Sequence, residues 1–596
     1  MDKPAPEPQV GGPPVGPETP TAGDVPQVGM VAKLLGCRWL PPVYREELYE
    51  VLKLMGPLLL FHILNFLQPL VISIFCGHIG TAELAGYALA SAIINVSTTV
   101  IVQGLTMACD TLISQTYGSK NLERVGVILQ RSSLILLLFC LPCWAVLINA
   151  HHLLLLMHQD HHVARIAQLY MMAFLPAVPS TFLHQLQVAY LQNQGIILPQ
   201  MYTAALANLF NLGANYVLIV SLKMGVVGSA VANSLAQVAI CLLLYAYIRW
   251  KKLHRHTWGG WSTECLQDWG SFMRLAVPSI FMVCFEWWIW EIGGFLAGVL
   301  GEADLAAQHV MVEISAITYM FPLGIQTAAC VRVGNALGAG DTARAILSCK
   351  VALVLSGLLA VPQGIVIVST KSVLGYVFTS DENIVAMVSE NLTIYTFLQF
   401  FDSILCVCSG ILVGCGMQKI AAASNLVSYY CIGLPIGVAL MFAARLRIFG
   451  LWLGLLTCVC LEASFFLILI FKLNWKKVTK EAEKRAGKKV LVLNEVTLCD
   501  RSVDGQEASK SQDREAKDKP GKWLSATQLV LRRGFALLAA VITLAVGVAV
   551  HLAFPVPEIS MSNSVNFTKI WTNASTDTPS TWAEPTPMDL SIRSVF

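Results

Sequence analysis

Glu286 and Glu291 stand near the middle of an apolar run, residues 271–299 (SFMRLAVPSIFMVCFEWWIWEIGGFLAGV). About 20 apolar residues in a helix cross a bilayer, and this run is longer. A carboxylate at bilayer depth costs roughly 2.5–3.5 kcal/mol by insertion scales. Two on one span are therefore expected to face a cavity or a protein interior. Helical spacing sets Glu286 one turn from Trp290, and Trp287 one turn from Glu291. A carboxylate beside an indole face suits an organic cation, which gains charge pairing and cation–π attraction together. Further acids stand in later apolar runs: Glu313 in HVMVEISAITYM and Asp402 in FLQFFDSILCVCSG, with Tyr319, Phe400 and Phe401 close in sequence. Neighbouring carboxylates do not all ionise cheaply, so such a group is suited to carrying protons.

The elements that must hold these residues follow from composition. Of 596 residues, 55% are hydrophobic and 13% charged, and the mean hydropathy is +0.63. Soluble domains carry about 25% charged residues. The expected class is an all-α polytopic membrane protein, and a net charge of +3 says little about partners. Apolar runs place spans at 51–75, 84–108, 125–148, 163–190, 197–221 and 226–249. Six more lie at 271–299, 305–330, 346–369, 385–413, 420–442 and 449–471, and a thirteenth at 534–554. The corresponding division is a disordered cytosolic N-terminus (1–44), a first lobe (45–250), an inter-lobe loop (251–270), a second lobe (271–472), a flexible cytosolic linker (473–530), the thirteenth span (531–555) and a C-terminal tail (556–596). Basic residues at 250–257, 475–489 and Arg532–Arg533 fall on one side if the N-terminus is cytosolic, and that side is then the cytosol, with Arg445 and Arg447 in loop 443–449 as an exception on the other. The tail is then extracellular, compatible with its sequons at Asn566 and Asn573.

The chain repeats itself. Lys53–Pro57 answers Arg274–Pro278, and Gly80–Ala85 answers Gly301–Ala306. Gln115–Gly118 answers Asn335–Gly338, Arg124 answers Arg344, and Leu191 and Gly195 answer Leu412 and Gly416. The register holds with Pro on Pro and Gly on Gly, so two six-helix lobes are expected, related by a pseudo-two-fold along the membrane normal. Such duplication points to a transporter that works by alternating access. The acids belong to the second lobe. The first offers neutral polar groups instead, His62, Asn65 and Gln68 in its first span and Asn95 in its second.

Other chemistries lack support. Cys140-Leu-Pro-Cys143 has CxxC spacing but sits inside a span without βαβ context. Loop 151–162 (HHLLLLMHQDHH) is His-rich without the spacing of a defined metal site. The Gly-rich segment 331–341 lacks the Lys-Ser/Thr ending of a P-loop, which argues for tight helix packing rather than nucleotide binding. No nucleophile–base set is present, so no enzyme is expected, and no cofactor beyond protons as the coupling ion.

Six segments carry a resemblance: CDTLISQTYGS (109–119), NQGIILPQ (193–200), WGGWSTECLQDW (258–269), EWW (286–288), VRVGNALGAGD (331–341) and GLPIGVALMFA (433–443). Across residues 45–475 the chain resembles the animal multidrug and toxin extrusion (MATE) transporters. The resemblance implies a twelve-span core with an extra C-terminal span, and exchange of an organic cation for a proton. It implies transport roles for Glu286, Glu291 and Glu313, and functional positions at Trp287 and Asn95. With Asp402 these acids form the expected proton and cation set; Trp287, Trp290, Tyr319, Asn95 and His62 form the expected substrate contacts. Three positions depart from the family pattern: Asp402 where Glu is usual, Trp290 where Tyr is usual, and His62 where Gln is expected. The implied setting is a monomer in the plasma membrane, apical in epithelia, with organic cations, protons and lipid as partners and no nucleic acid. Sodium coupling and a lipid or glycolipid flippase on the same architecture are the alternatives.

Overall fold

The computed structural model describes residues 41–157, 159–379, 381–487 and 525–554. The N-terminal segment up to 40, the linker from 488 to 524 and the tail with both sequons lie outside the described residues. Within them the spans are helices, because a backbone in lipid must satisfy its own polar groups. In chain order they are α1 (Pro42–Ile79), α2 (Ala82–Gly118), α3 (Leu122–Ile148), α4 (His161–Phe174 with Ala177–Gln192), α5 (Leu198–Ser221) and α6 (Gly225–Trp250). The second set is α7 (Trp269–Leu300), α8 (Glu302–Ala339), α9 (Thr342–Val377), α10 (Glu382–Cys415), α11 (Gln418–Ala443) and α12 (Arg447–Lys472). A short amphipathic helix, α13 (Trp475–Ala486), precedes the last span, α14 (Thr527–Ala553). The fourth span bends by 59° between its halves, at Leu175–Pro176. Proline there supplies no amide for the ladder.

The sequence repeat is also a repeat of backbone shape. Pro57 and Pro278 each stand inside the continuous first helix of a lobe. Gly195 and Gly416 both take φ +76, and Lys223 and Arg445 both take φ +55. At the lobe contact the pairing is reciprocal, as a two-fold axis requires. A methyl on Gly118 would strike the Asn335 carbonyl, and a methyl on Gly338 would strike the carbonyl of Gln115, the residue equivalent to Asn335. Each lobe has its own core, but the two exchange their leading turns. Val51, Leu54, Met55 and Leu58 of α1 pack in the second lobe's core, while Phe272 and Ala276 of α7 pack in the first's.

The lobes are closed against each other at the end where α1 begins. There Thr111 donates to the Val413 carbonyl at 2.6 Å, and the Gln115 amide to the Gly414 carbonyl at 2.8 Å. Glu47, 2% exposed, accepts from Arg332 Nε and Nη2 at 2.9 and 2.5 Å and from the Ser348 hydroxyl at 2.6 Å. Glu47→Ala leaves the half-sheltered Arg332 guanidinium without its counter-charge, which costs about 3–5 kcal/mol for a buried pair. The thermal unfolding midpoint of the purified protein in detergent should fall clearly below wild type; an unchanged midpoint would refute this account of the pair.

Two segments correct the sequence expectation. The stretch from 473, expected to be a flexible linker, begins as α13. Asn474 caps it, its side chain accepting from the Lys477 amide at 3.2 Å. Val478, Thr479, Ala482 and Ala486 form a buried face at helical spacing. That face bridges the closed end: the Arg485 guanidinium donates to Gln115 Oε1 at 3.2 Å and to the Cys415 carbonyl at 3.1 Å, and the Asn121 amide donates to the Ala486 carbonyl at 3.3 Å. Within loop 151–162, Ala150–Leu156 is a helix and Asp160 caps the next one. The amides of Val163 and His162 hold the Asp160 carboxyl below its usual range. Among the described residues no group of three or more His, Cys, Asp or Glu could hold a metal ion. The last span, α14, packs on α3, where Asn149 donates to the Gly547 carbonyl at 2.8 Å, and Arg533 lies 4.4 Å over the Trp269 ring.

Candidate functional site

Glu286 sits at mid-depth on α7 and Tyr319 on the neighbouring α8. The Tyr319 hydroxyl donates to Glu286 Oε1 at 3.0 Å. Asp402, on α10, lies within electrostatic reach of Glu286, and Tyr319 within reach of both. Two turns before Asp402, the Tyr395 hydroxyl bonds to that of Thr318, which locks α10 to α8 beside the acids. One carboxyl from each of two helices, with a phenol between them, forms the centre of an acidic site inside the second lobe.

Aromatic rings pack among the helices that carry these acids, and Trp452 and Tyr395 are sealed in the core. Trp452 of α12 sits between Trp290 (centroids 5.6 Å apart) and Tyr395 (5.7 Å, interplanar 84°). Its indole N–H donates to Gln308 Oε1 at 2.8 Å. Phe285 meets Tyr430 edge-on at 5.5 Å. Trp290 thus spends a face on Trp452, where the sequence suggested an indole free for a ligand. Trp287 is 41% exposed and keeps an open face.

The four expected acids do not form one group. Glu291 stands five residues after Glu286, so it points about 140° away around the helix, and its side chain is exposed. Glu313 is half-buried at the lobe boundary, where its charge acts on Tyr87 of α2. Glu286 and Asp402 remain as the close pair. The first lobe answers with neutral groups. Gln68 donates to Asn233 at 3.1 Å and Asn233 to the Tyr170 hydroxyl at 3.0 Å, a chain across α1, α6 and α4. Asn95 opens a π-helical turn, Asn95–Thr99, and its Oδ1 accepts from the Thr99 hydroxyl at 3.3 Å. Such turns widen a helix locally and recur at functional sites. The buried Nε2 of His62 has no hydrogen-bond partner, and its ring lies 5.6 Å from that of Phe61. Sequence reasoning missed Trp452 and Glu462. Glu462 stands in the twelfth apolar run (CLEASFF), where the rule that flagged Glu286 would have found it.

The arrangement has a simple electrostatic property. Among the described residues no ion pair includes Glu286, Asp402 or Glu462. Glu462 is buried and Glu286 and Asp402 are half-buried; carboxylates sheltered from water without counter-charge are costly, so the site calls for a positive charge from outside: a proton or a cation.

The MatE family model matches residues 57–217 and again 278–439. The chain belongs to the MatE family. The starts of the two matched MatE stretches are 221 residues apart, so each lobe is one copy of the unit. The chain's relatives are MATE membrane transporters, not enzymes. The chain is 49% identical to multidrug and toxin extrusion protein 1 of Danio rerio over 547 residues, 87% of this chain and 93% of that protein. It is 47% identical to the Homo sapiens protein of the same name over 534 residues, 85% and 94% of the two chains. The eukaryotic MATE transporter AtDTX14 matches with a TM-score of 0.71 and 26% identity, over 74% of this chain and all of that one. A Vibrio cholerae MATE transporter, VcmN, shares the fold at 16% identity with a TM-score of 0.65.

Proposed function

We propose that this MATE transporter exports organic cations and cationic drugs in exchange for external protons. The observation that carries the reading is the uncompensated pair Glu286–Asp402 with its Tyr319 donor, beside the open face of Trp287 on the same helix as Glu286. The relatives named for multidrug and toxin extrusion support the substrate class. An organic cation satisfies the pair's charge and lies against the rings; protons satisfy the same charge and displace it. With the N-terminus cytosolic, the closed end is cytosolic and this state faces outward, where protons load and the cation leaves. Parting the lobes at Gly118–Gly338 opens the site to the cytosol. We place the protein in the plasma membrane as a monomer, with its last tail outside. One pH unit supplies about 1.36 kcal/mol per proton, enough for roughly a tenfold cation gradient at one-to-one exchange.

The test is uptake of labelled tetraethylammonium into proteoliposomes under an imposed pH gradient, then under an imposed sodium gradient. Stimulation by pH alone is the expected result. Stimulation by sodium alone would turn the acids into a sodium-coordinating shell and overturn proton coupling. No response to either would overturn the organic-cation assignment.

A further inference from the structure

Glu462 lies on α12 and is 1% exposed. Both of its carboxyl oxygens are buried without a hydrogen-bond partner. The Ser424 hydroxyl of α11 approaches it without completing a hydrogen bond of standard geometry. The groups whose charges act with it are Glu286 on α7, Asp402 on α10, Tyr429 on α11 and Cys458 on its own helix. None is cationic. Its neighbours along α12, Cys458, Val459, Ala463 and Phe466, are buried apolar side chains. An ordinary structural acid in such a place would be held by an Arg, as Asp304 is by Arg447 in this same lobe. Glu462 has no such partner, and it shares its surroundings with the two acids of the transport site.

We infer that Glu462 is a third carboxyl of the coupling site and binds a proton in competition with the cation held at Glu286 and Asp402. This rests on the proton-coupled reading above. The three carboxyls, on α7, α10 and the α12 that packs against both, lie within electrostatic reach of one another, and three bare charges there would repel across a medium of low dielectric. Each positive charge that enters is therefore felt by all three. The proton enters from the external side and leaves on the cytosolic side as a cation takes its place, so one positive charge replaces another and no bond other than O–H is made or broken. Glu462 thereby adds one titrating group to the exchange, which should steepen its dependence on external pH.

The test is the external-pH profile of tetraethylammonium exchange in proteoliposomes, normalised to reconstituted protein. In Glu462→Gln the profile should become shallower. Its midpoint should move to more acidic pH by about one unit, because the lost charge no longer favours protonation of its neighbours. Glu462→Asp should restore the wild-type slope. A Gln variant with the wild-type slope and midpoint would overturn the inference. So would an Asp variant that behaves like Gln, since only packing would then be at stake. If Gln prevents folding, Glu462→Met removes the buried polar group and is read in the same way. A wild-type protein with no pH-driven exchange at all would instead bring down the proton-coupled reading, which this comparison keeps separate.

Discussion

Glu286→Gln abolishes pH-driven exchange while leaving a folded protein: that is the largest effect expected from a single atom-for-atom change in this chain. The substitution keeps the shape of the side chain. Its amide oxygen can still accept the Tyr319 hydroxyl, which sits 3.0 Å away. What disappears is the negative charge that either a proton or an organic cation must neutralise. Interactions with a charged partner contribute about 1.5–3 kcal/mol, so cation affinity should fall roughly 10- to 150-fold. Coupling should fall further, because a neutral amide takes up no proton. Initial rates of labelled tetraethylammonium uptake under a pH gradient measure both. Near wild-type pH-driven uptake in this variant would remove Glu286 from the mechanism and leave Asp402 and Glu462 to carry it.

The second large effect lies far from the acids. Gly338→Val puts a branched side chain where even a single methyl would run into the Gln115 backbone carbonyl. Backbone on both sides leaves little room to yield. Overpacking of this kind costs about 1–3 kcal/mol, and here the cost falls on the state closed at this end. In the opposite state, with this contact parted, the added methyls meet no such carbonyl. The conformational equilibrium should therefore shift about 5- to 150-fold against the closed state. Turnover should drop at least tenfold, while tetraethylammonium binding at equilibrium persists. Gly118→Val, the pseudo-symmetric change, should behave alike. Normal turnover in both variants would mean that the lobes do not need this contact during the cycle.

Much of this was legible in the sequence because it rests on residue types that nothing else replaces. Proline and glycine repeated in register disclosed the two lobes. The structure repeats the same positions in backbone shape, down to φ +76 at both Gly195 and Gly416. Acids in apolar runs pointed to the candidate site, because a carboxylate facing lipid is costly. The direction of each acid was less legible. A five-residue step separates Glu286 from Glu291 around the helix, and only the packing of α7 against α8 decides which one meets Tyr319. Trp452 escaped notice because a tryptophan in an apolar span reads as lipid-facing or core; its place between Trp290 and Tyr395 depends on how α12 lies against α7 and α10. The docking of α13 was hidden by its charge. Its buried face is made of small residues, Ala482 and Ala486 beside Val478 and Thr479, which carry little hydrophobic signal.

The exchange of leading turns between the two cores bears on how such a protein came to be. Val51 and Met55 serve the second lobe as Phe272 and Ala276 serve the first, and the two pairs occupy equivalent places in the repeat. Neither half is complete alone: each lends an arm and needs the other's in return. A single-lobe protein with this architecture would have to exchange arms as a homodimer, and carrying both lobes in one chain makes the swap permanent. The two halves of the present chain, produced as separate polypeptides, should then reach a stable fold only when made together.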